Sequence, residues 1–162
     1  LHAVSLSLRT KLFGAKSSHD SFHLNELVKV SKRIDPLWVS EHLSLTRFND
    51  VDYGHLTPVL FDQNQLEIFK ENLTILKERI QKPVLLENIT NHISIEHPIK
   101  ETTFMNRLCE ESGTYLLIDI PNLYINAKNH RFCPYEWIKQ IDPQFVKQFH
   151  IIGVKNLSLI HI

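Results

Sequence analysis

Acids and imidazoles stand at the ends of short apolar runs. Ser40-Glu41-His42 closes Leu37 to Leu43, Glu87-Asn88 closes Pro83 to Ile89, and Asp119 closes Tyr115 to Ile120. His150 follows Phe149 in a run from Gln148 to Val154, and His2 sits near the start of Leu1 to Leu8. A carboxylate buried alone is costly or becomes neutral. Glu87 behind Leu85-Leu86 and Asp119 behind Leu116-Leu117-Ile118 therefore call for a partner. Imidazoles and carboxylates converging on one place suit a divalent cation, which offsets the repulsion among the acids. Mixed nitrogen and oxygen ligands serve zinc, manganese and iron alike, so the residue types leave the metal open. The alternative is that each is a solvated loop residue or a helix cap.

Such residues meet only if the elements carrying them align. The five apolar runs have the length of buried strands, and helical patterns separate them. The clearest helix spans Gln63 to Gln81, where Leu66, Phe69, Leu73, Leu76 and Ile80 recur at steps of three and four. Asp62 and Gln65 are placed for a capping box. Further helices are expected from His19 to Arg33, Glu101 to Glu111 and Tyr135 to Ile141, with Gly113 ending one and Pro134 opening another. Alternating strands and helices imply parallel pairing, and in a parallel barrel all carboxyl strand ends surround one mouth. The stretch Asn122 to His130, which includes Asn129, is expected to be a polar loop whose asparagines satisfy their own backbone, or else one that presents amides and an imidazole over that mouth.

Composition removes several classes. With 18 basic and 18 acidic side chains in 162 residues, the chain lacks the cationic excess of a nucleic-acid surface. No apolar run approaches the roughly 20 residues of a membrane span. Four glycines and no Gly-rich loop after the first strand exclude a dinucleotide fingerprint. Cys109 and Cys133 are too few and too far apart for a disulfide framework or a C-x-x-C metal site. Without a linker or a repeat, residues 1–162 read as a single domain, with the cytoplasm as the expected compartment.

In chain order, the strings His2 to Leu8, Val39-Ser40-Glu41-His42-Leu43-Ser44, Leu56-Thr57-Pro58, Leu85-Leu86-Glu87-Asn88, Glu101 with Phe104, Leu117-Ile118-Asp119, Asn122 to His130, and Phe149-His150 with Gly153 resemble one family. It is the domain-of-unknown-function family 692, also called uncharacterised protein family 0276, whose MbnB/TglH-like members are multinuclear non-haem iron-dependent oxidative enzymes. The resemblance implies a (β/α)8 barrel with two or three irons at its carboxyl end. It matches His2, His42 and Glu87 to ligands of one iron, with Glu87 bridging to a second that Asp119 and His150 help hold. His130 matches a histidine serving a third position. Glu41, Asn88, Glu101, Asn122 and Asn129 match supporting polar residues.

Some positions depart from the family pattern. Pro121 replaces the first of two asparagines, Arg131 replaces a glycine, and Val154 stands where a second histidine is usual. A later Asp-x-His motif does not appear before Ile162. The expectation is therefore a partial barrel of about five parallel strands with outer helices, lacking the first and the C-terminal strands. The implied activity is oxidative modification of cysteine-containing precursor peptides, with a separate partner protein presenting the peptide. Two readings stand beside it, a divalent-metal barrel of the isomerase or endonuclease class and a non-catalytic remnant.

Overall fold

The computed structural model describes residues 21–48 and 51–152. The expected strand at Leu1 to Leu8 with His2, the start of the helix expected from His19, and the end of the last run with Val154 lie outside the described residues. Helix α1 (Ser21–Ile34) leads into strand β1 (Val39–His42), a hairpin of β2 (Leu45–Phe48) and β3 (Val51–Thr57), and helix α2 (Gln63–Ile80). Then follow β4 (Val84–Glu87), α3 (Glu101–Ser112), β5 (Tyr115–Asp119), α4 (Ile120–His130), α5 (Pro134–Lys139), a 3-10 turn at Pro143–Phe145, and β6 (Val146–His150). No described helix is long and apolar enough to cross a membrane.

The five apolar residues of α2 are all buried. Each contributes roughly 1.5–3 kcal/mol by leaving water, whereas an N-cap is worth about 1 kcal/mol, so the stripe holds the helix and the cap sets where it begins. Asp62 accepts from the Gln65 amide at 2.7 Å, but its own N–H goes to the Leu60 carbonyl at 2.9 Å, so only half of the capping box forms. Gly113 ends α3 with φ 64°, the left-handed conformation expected of it. Pro134 occupies the first turn of α5, as its missing N–H allows.

β1, β4, β5 and β6 form one parallel sheet in that order, with His42 beside Glu87 and Asp119 beside His150. Strand alternation divides each strand between two faces. Val39, Val84, Leu86, Leu116 and Ile118 join the core that includes Phe69 and Leu73 of α2 and Phe104 and Leu108 of α3. The intervening His42, Leu85, Glu87, Leu117 and Asp119 therefore share the opposite face. The sheet curls about that face. Trp38, next to β1, donates its indole N–H to Gln148 of β6 at 2.7 Å. Three strand spacings of about 4.8 Å would separate those strands in a flat sheet. Helices outside a curved parallel sheet are the arrangement of a partial (β/α) barrel.

Three expectations need correction. Residues 122–130 are helical, not a loop, because Asp119 caps α4, Pro121 lies in its first turn, and Leu123 and Ala127 bury one side. The last strand begins two residues earlier than expected and ends at His150. An antiparallel β2–β3 hairpin fills a segment for which no element was expected.

Candidate metal centre

Glu87 ends β4, whose four residues are all buried, and is itself 5% exposed. Burial pushes its carboxyl above the ordinary range, the Asp119 charge adds to this, and His150 opposes it. Its two oxygens face different imidazoles. Oε1 lies 3.4 Å from His150 Nδ1, and Oε2 lies 3.8 Å from His42 Nε2. Asp119 Oδ2 approaches the same His150 nitrogen at 3.4 Å. Donor atoms of Glu87, Asp119 and His150 all fall within 4.8 Å of one another.

These distances are long for hydrogen bonds and suit shared coordination. Atoms each ~2.1 Å from one ion, at octahedral to tetrahedral angles, lie about 3.0–3.4 Å apart. Further positive charge between the two buried carboxylates would also offset their mutual repulsion. The donor set therefore fits a divalent metal between Glu87, Asp119 and His150, with Glu87 Oε2 turned toward His42.

Asp119 divides its carboxylate between two tasks. Oδ1 accepts the Asn122 N–H at 2.7 Å and caps α4, which leaves Oδ2 to the site. The Asn88 side chain continues the β4–β5 ladder beyond Glu87. Its Oδ1 accepts the Asp119 N–H at 2.7 Å and its amide donates to the Asp119 carbonyl at 3.0 Å. Asn122 then donates to the Asn88 carbonyl at 2.9 Å and accepts from Thr90. Asn88 and Asn122 therefore fix the two acids relative to each other.

Asn126, which the sequence did not single out, works one helical turn later. It donates to the Ile89 carbonyl and accepts from the Asn91 N–H. Its spacing of four from Asn122 was the available signal. Asn129 and His130 complete this face of α4 on the Asn91 carbonyl, at 3.3 and 2.8 Å. His130 donates through Nε2, which leaves Nδ1 as its acceptor.

The structure thus brings His42, Glu87, Asp119 and His150 together, with Asn88 and Asn122 in support. It places His130, Asn129 and Glu101 elsewhere. Glu101 opens α3 and accepts the Trp137 indole N–H at 2.8 Å. Burial pushes its carboxyl up, against the effects of Trp137 and His130. Glu41 is buried on the face of β1 opposite His42. His2 lies outside the described residues. Cys109 is a buried thiol that burial pushes up to about 12, and it has no place in the site.

Residues 1–161 match the model of the RiPP precursor modification enzyme family MbnB/TglH/ChrH. The chain belongs to this family. Similar proteins include the UPF0276 protein of Caulobacter vibrioides strain NA1000 / CB15N, 31% identical over 154 residues that cover 94% of this chain and 53% of the relative. The UPF0276 protein of Acaryochloris marina is 29% identical over 157 residues, 96% of this chain and 55% of its own length. That of Rhizobium meliloti is 30% identical over 154 residues, 94% and 48%. The chain spans about half the length of the curated relatives it matches. Within this MbnB/TglH/ChrH member, the buried acids and imidazoles named above all lie in the matched region.

Proposed function

We propose that the protein is a multinuclear iron-dependent oxidative enzyme that modifies cysteine-containing precursor peptides, presented to it by a separate partner protein. The observation that carries this reading is the division of Glu87, with one oxygen toward His150, which Asp119 also approaches, and the other toward His42. A carboxylate so placed can neutralise two cations, whereas a terminal ligand serves one. Glu87, Asp119 and His150 would hold one iron, and His42 with Glu87 Oε2 would hold a second, joined by His2 as the family resemblance implies. Iron there supplies a redox centre for chemistry with dioxygen.

This chain's own residues do the rest. Asn88 and Asn122 hold Asp119 in place, and the buried strands beneath Glu87 exclude bulk water from its base. Two cysteines without a disulfide agree with action in the reducing cytoplasm.

The test is anaerobic reconstitution of the intact protein with ferrous iron, followed by a cysteine-containing precursor peptide with and without dioxygen. More than one iron per chain and a dioxygen-dependent change in peptide mass are expected. Full activity in metal-free protein would overturn the reading. Turnover that proceeds equally without dioxygen would favour the isomerase or endonuclease type of metal barrel.

A further inference from the structure

Beside the candidate metal centre lies a cavity of about 200 Å3 that the chemistry above does not use. It runs between α4 and the segment joining β4 to α3, and Leu43 and Asn88 line it. These are the residues that directly follow His42 and Glu87, so the cavity begins one residue beyond the metal-facing side chains. Apolar residues such as Val59, Ile89, Ile95 and Phe132 share its walls with four uncharged polar side chains, and its ionisable groups are Glu101, His97 and His130. Pockets for drug-sized ligands measure roughly 300–1,000 Å3. This space suits one extended side chain.

The polar groups define which side chain. Among the described residues, Trp137 alone donates to Glu101, through Oε2, so the other carboxylate oxygen has no donor there. His97 is a neutral imidazole, because its Nδ1 accepts the Phe61 N–H at 3.1 Å while its ring packs against Phe61. Burial pushes its pKa down, which keeps it neutral. His130 offers Nδ1 as an acceptor, since its Nε2 is committed to the Asn91 carbonyl. An anionic guest would meet Glu101. A neutral one would bring no positive charge to the second Glu101 oxygen.

We propose that this cavity is a specificity pocket for a lysine or arginine side chain, with the alkyl stem along the apolar walls and the cationic head on Glu101. That the guest is a residue of the peptide substrate, close to the modified cysteine, rests on the function proposed above; the cationic preference does not.

The probe is n-butylammonium, titrated into the 15N-labelled intact protein without metal, with n-butyrate and 1-butanol as controls. The Trp137 indole resonance, assigned by its loss in Trp137→Phe, reports on Glu101 directly. A saturable shift with n-butylammonium is expected, with binding of each control at least about tenfold weaker. Glu101→Gln should abolish saturation. Ile93→Trp, which places bulk at an exposed rim position and leaves Glu101 intact, should also abolish it.

Equal binding of butyrate, or a response that survives both variants, would overturn the proposal. So would a saturable response to ferrous iron in Glu87→Gln protein that ignores butylammonium, since the cavity would then be a metal site. In a separate arm, lysine beside the peptide cysteine should lower KM about tenfold relative to norleucine, and equal KM values would overturn the assignment to the peptide. If no peptide is modified at all, the functional reading fails while the butylammonium result stands.

Discussion

β4 and β6 each contribute one side chain to the metal centre, yet they hold it differently. β4 is buried along its whole length between β1 and β5, and Glu87 is fixed in the core. In β6, Val146, Gln148 and His150 are half-buried while Lys147 and Phe149 are exposed, and β5 is its one described neighbour in the sheet. The His150 side chain is 35% exposed, against 7% for Glu87. The acids are therefore positioned by the core, and the imidazole that completes the triad is positioned from an edge. The contrast teaches that two ligands of one site can differ in what breaks them: disturbing the core moves the acids, while His150 can be removed with the fold intact.

The largest effect on folding should come from the core side. Asn88→Leu orphans the Asp119 N–H and carbonyl in a buried place, each worth about 1–3 kcal/mol. A loss of roughly 2–4 kcal/mol in urea unfolding is expected, together with weaker metal binding. A loss below about 0.5 kcal/mol would show that Asn88 does not hold the two strands together. On the edge side, His150→Gln should leave metal-free stability within about 0.5 kcal/mol. Its metal affinity, measured by chelator competition, should fall at least about tenfold, since even supporting partners of ligands cost 10–100-fold.

Much of this contrast was legible in the sequence. Leu85-Leu86-Glu87 and Leu116-Leu117-Ile118-Asp119 place an acid at the end of a fully apolar run, which suits a buried strand, and both strands are where those runs lie. The α4 helix was hidden because asparagine is a weak helix former and a strong turn former. Tertiary context overrides that preference, since the Asp119 cap and the buried Leu123 and Ala127 supply what intrinsic propensity lacks. The β2–β3 hairpin was missed although Asn49-Asp50, between Phe48 and Val51, is a turn signal. Convergence of His42 with Glu87 was expected from parallel strands ending at one mouth, and the register sets the two side by side. The separation of His130 and Glu101 from the metal triad was not legible, because it depends on how α4 and α3 pack beside the strands.

A smaller effect concerns the cavity beside the metal centre. Burial raises the Glu101 carboxyl above its ordinary 4.5 in the folded chain. The folded state then keeps a proton that the unfolded chain releases, so this contribution to stability is fully present below about 4.5 and declines as pH rises through the raised value. Glu101→Gln stays neutral throughout. Its stability relative to the parent should improve between pH 4.5 and 7 in urea titrations, and a parallel pH dependence of the two proteins would contradict this.

The smallest effect is expected at Arg131, which ends α4 with φ 57° where the family resemblance implies glycine. The left-handed conformation costs a side-chain-bearing residue about 1–2 kcal/mol, part of which glycine gives back as unfolded-state entropy. Arg131→Gly should stabilise by roughly 0.5–1 kcal/mol, read as a small rise in Tm. No rise would mean that the strain is relieved elsewhere.

The central claim is that Glu87 stands between two metal positions. Its most direct test is metal analysis of intact Glu87→Gln protein beside the parent, after identical reconstitution with ferrous iron and removal of loosely bound metal. Glutamine keeps the shape and removes the charge, and the far-ultraviolet circular dichroism should be unchanged. The account predicts that the variant retains at least one iron fewer per chain than the parent. An equal iron content in the two proteins would contradict it.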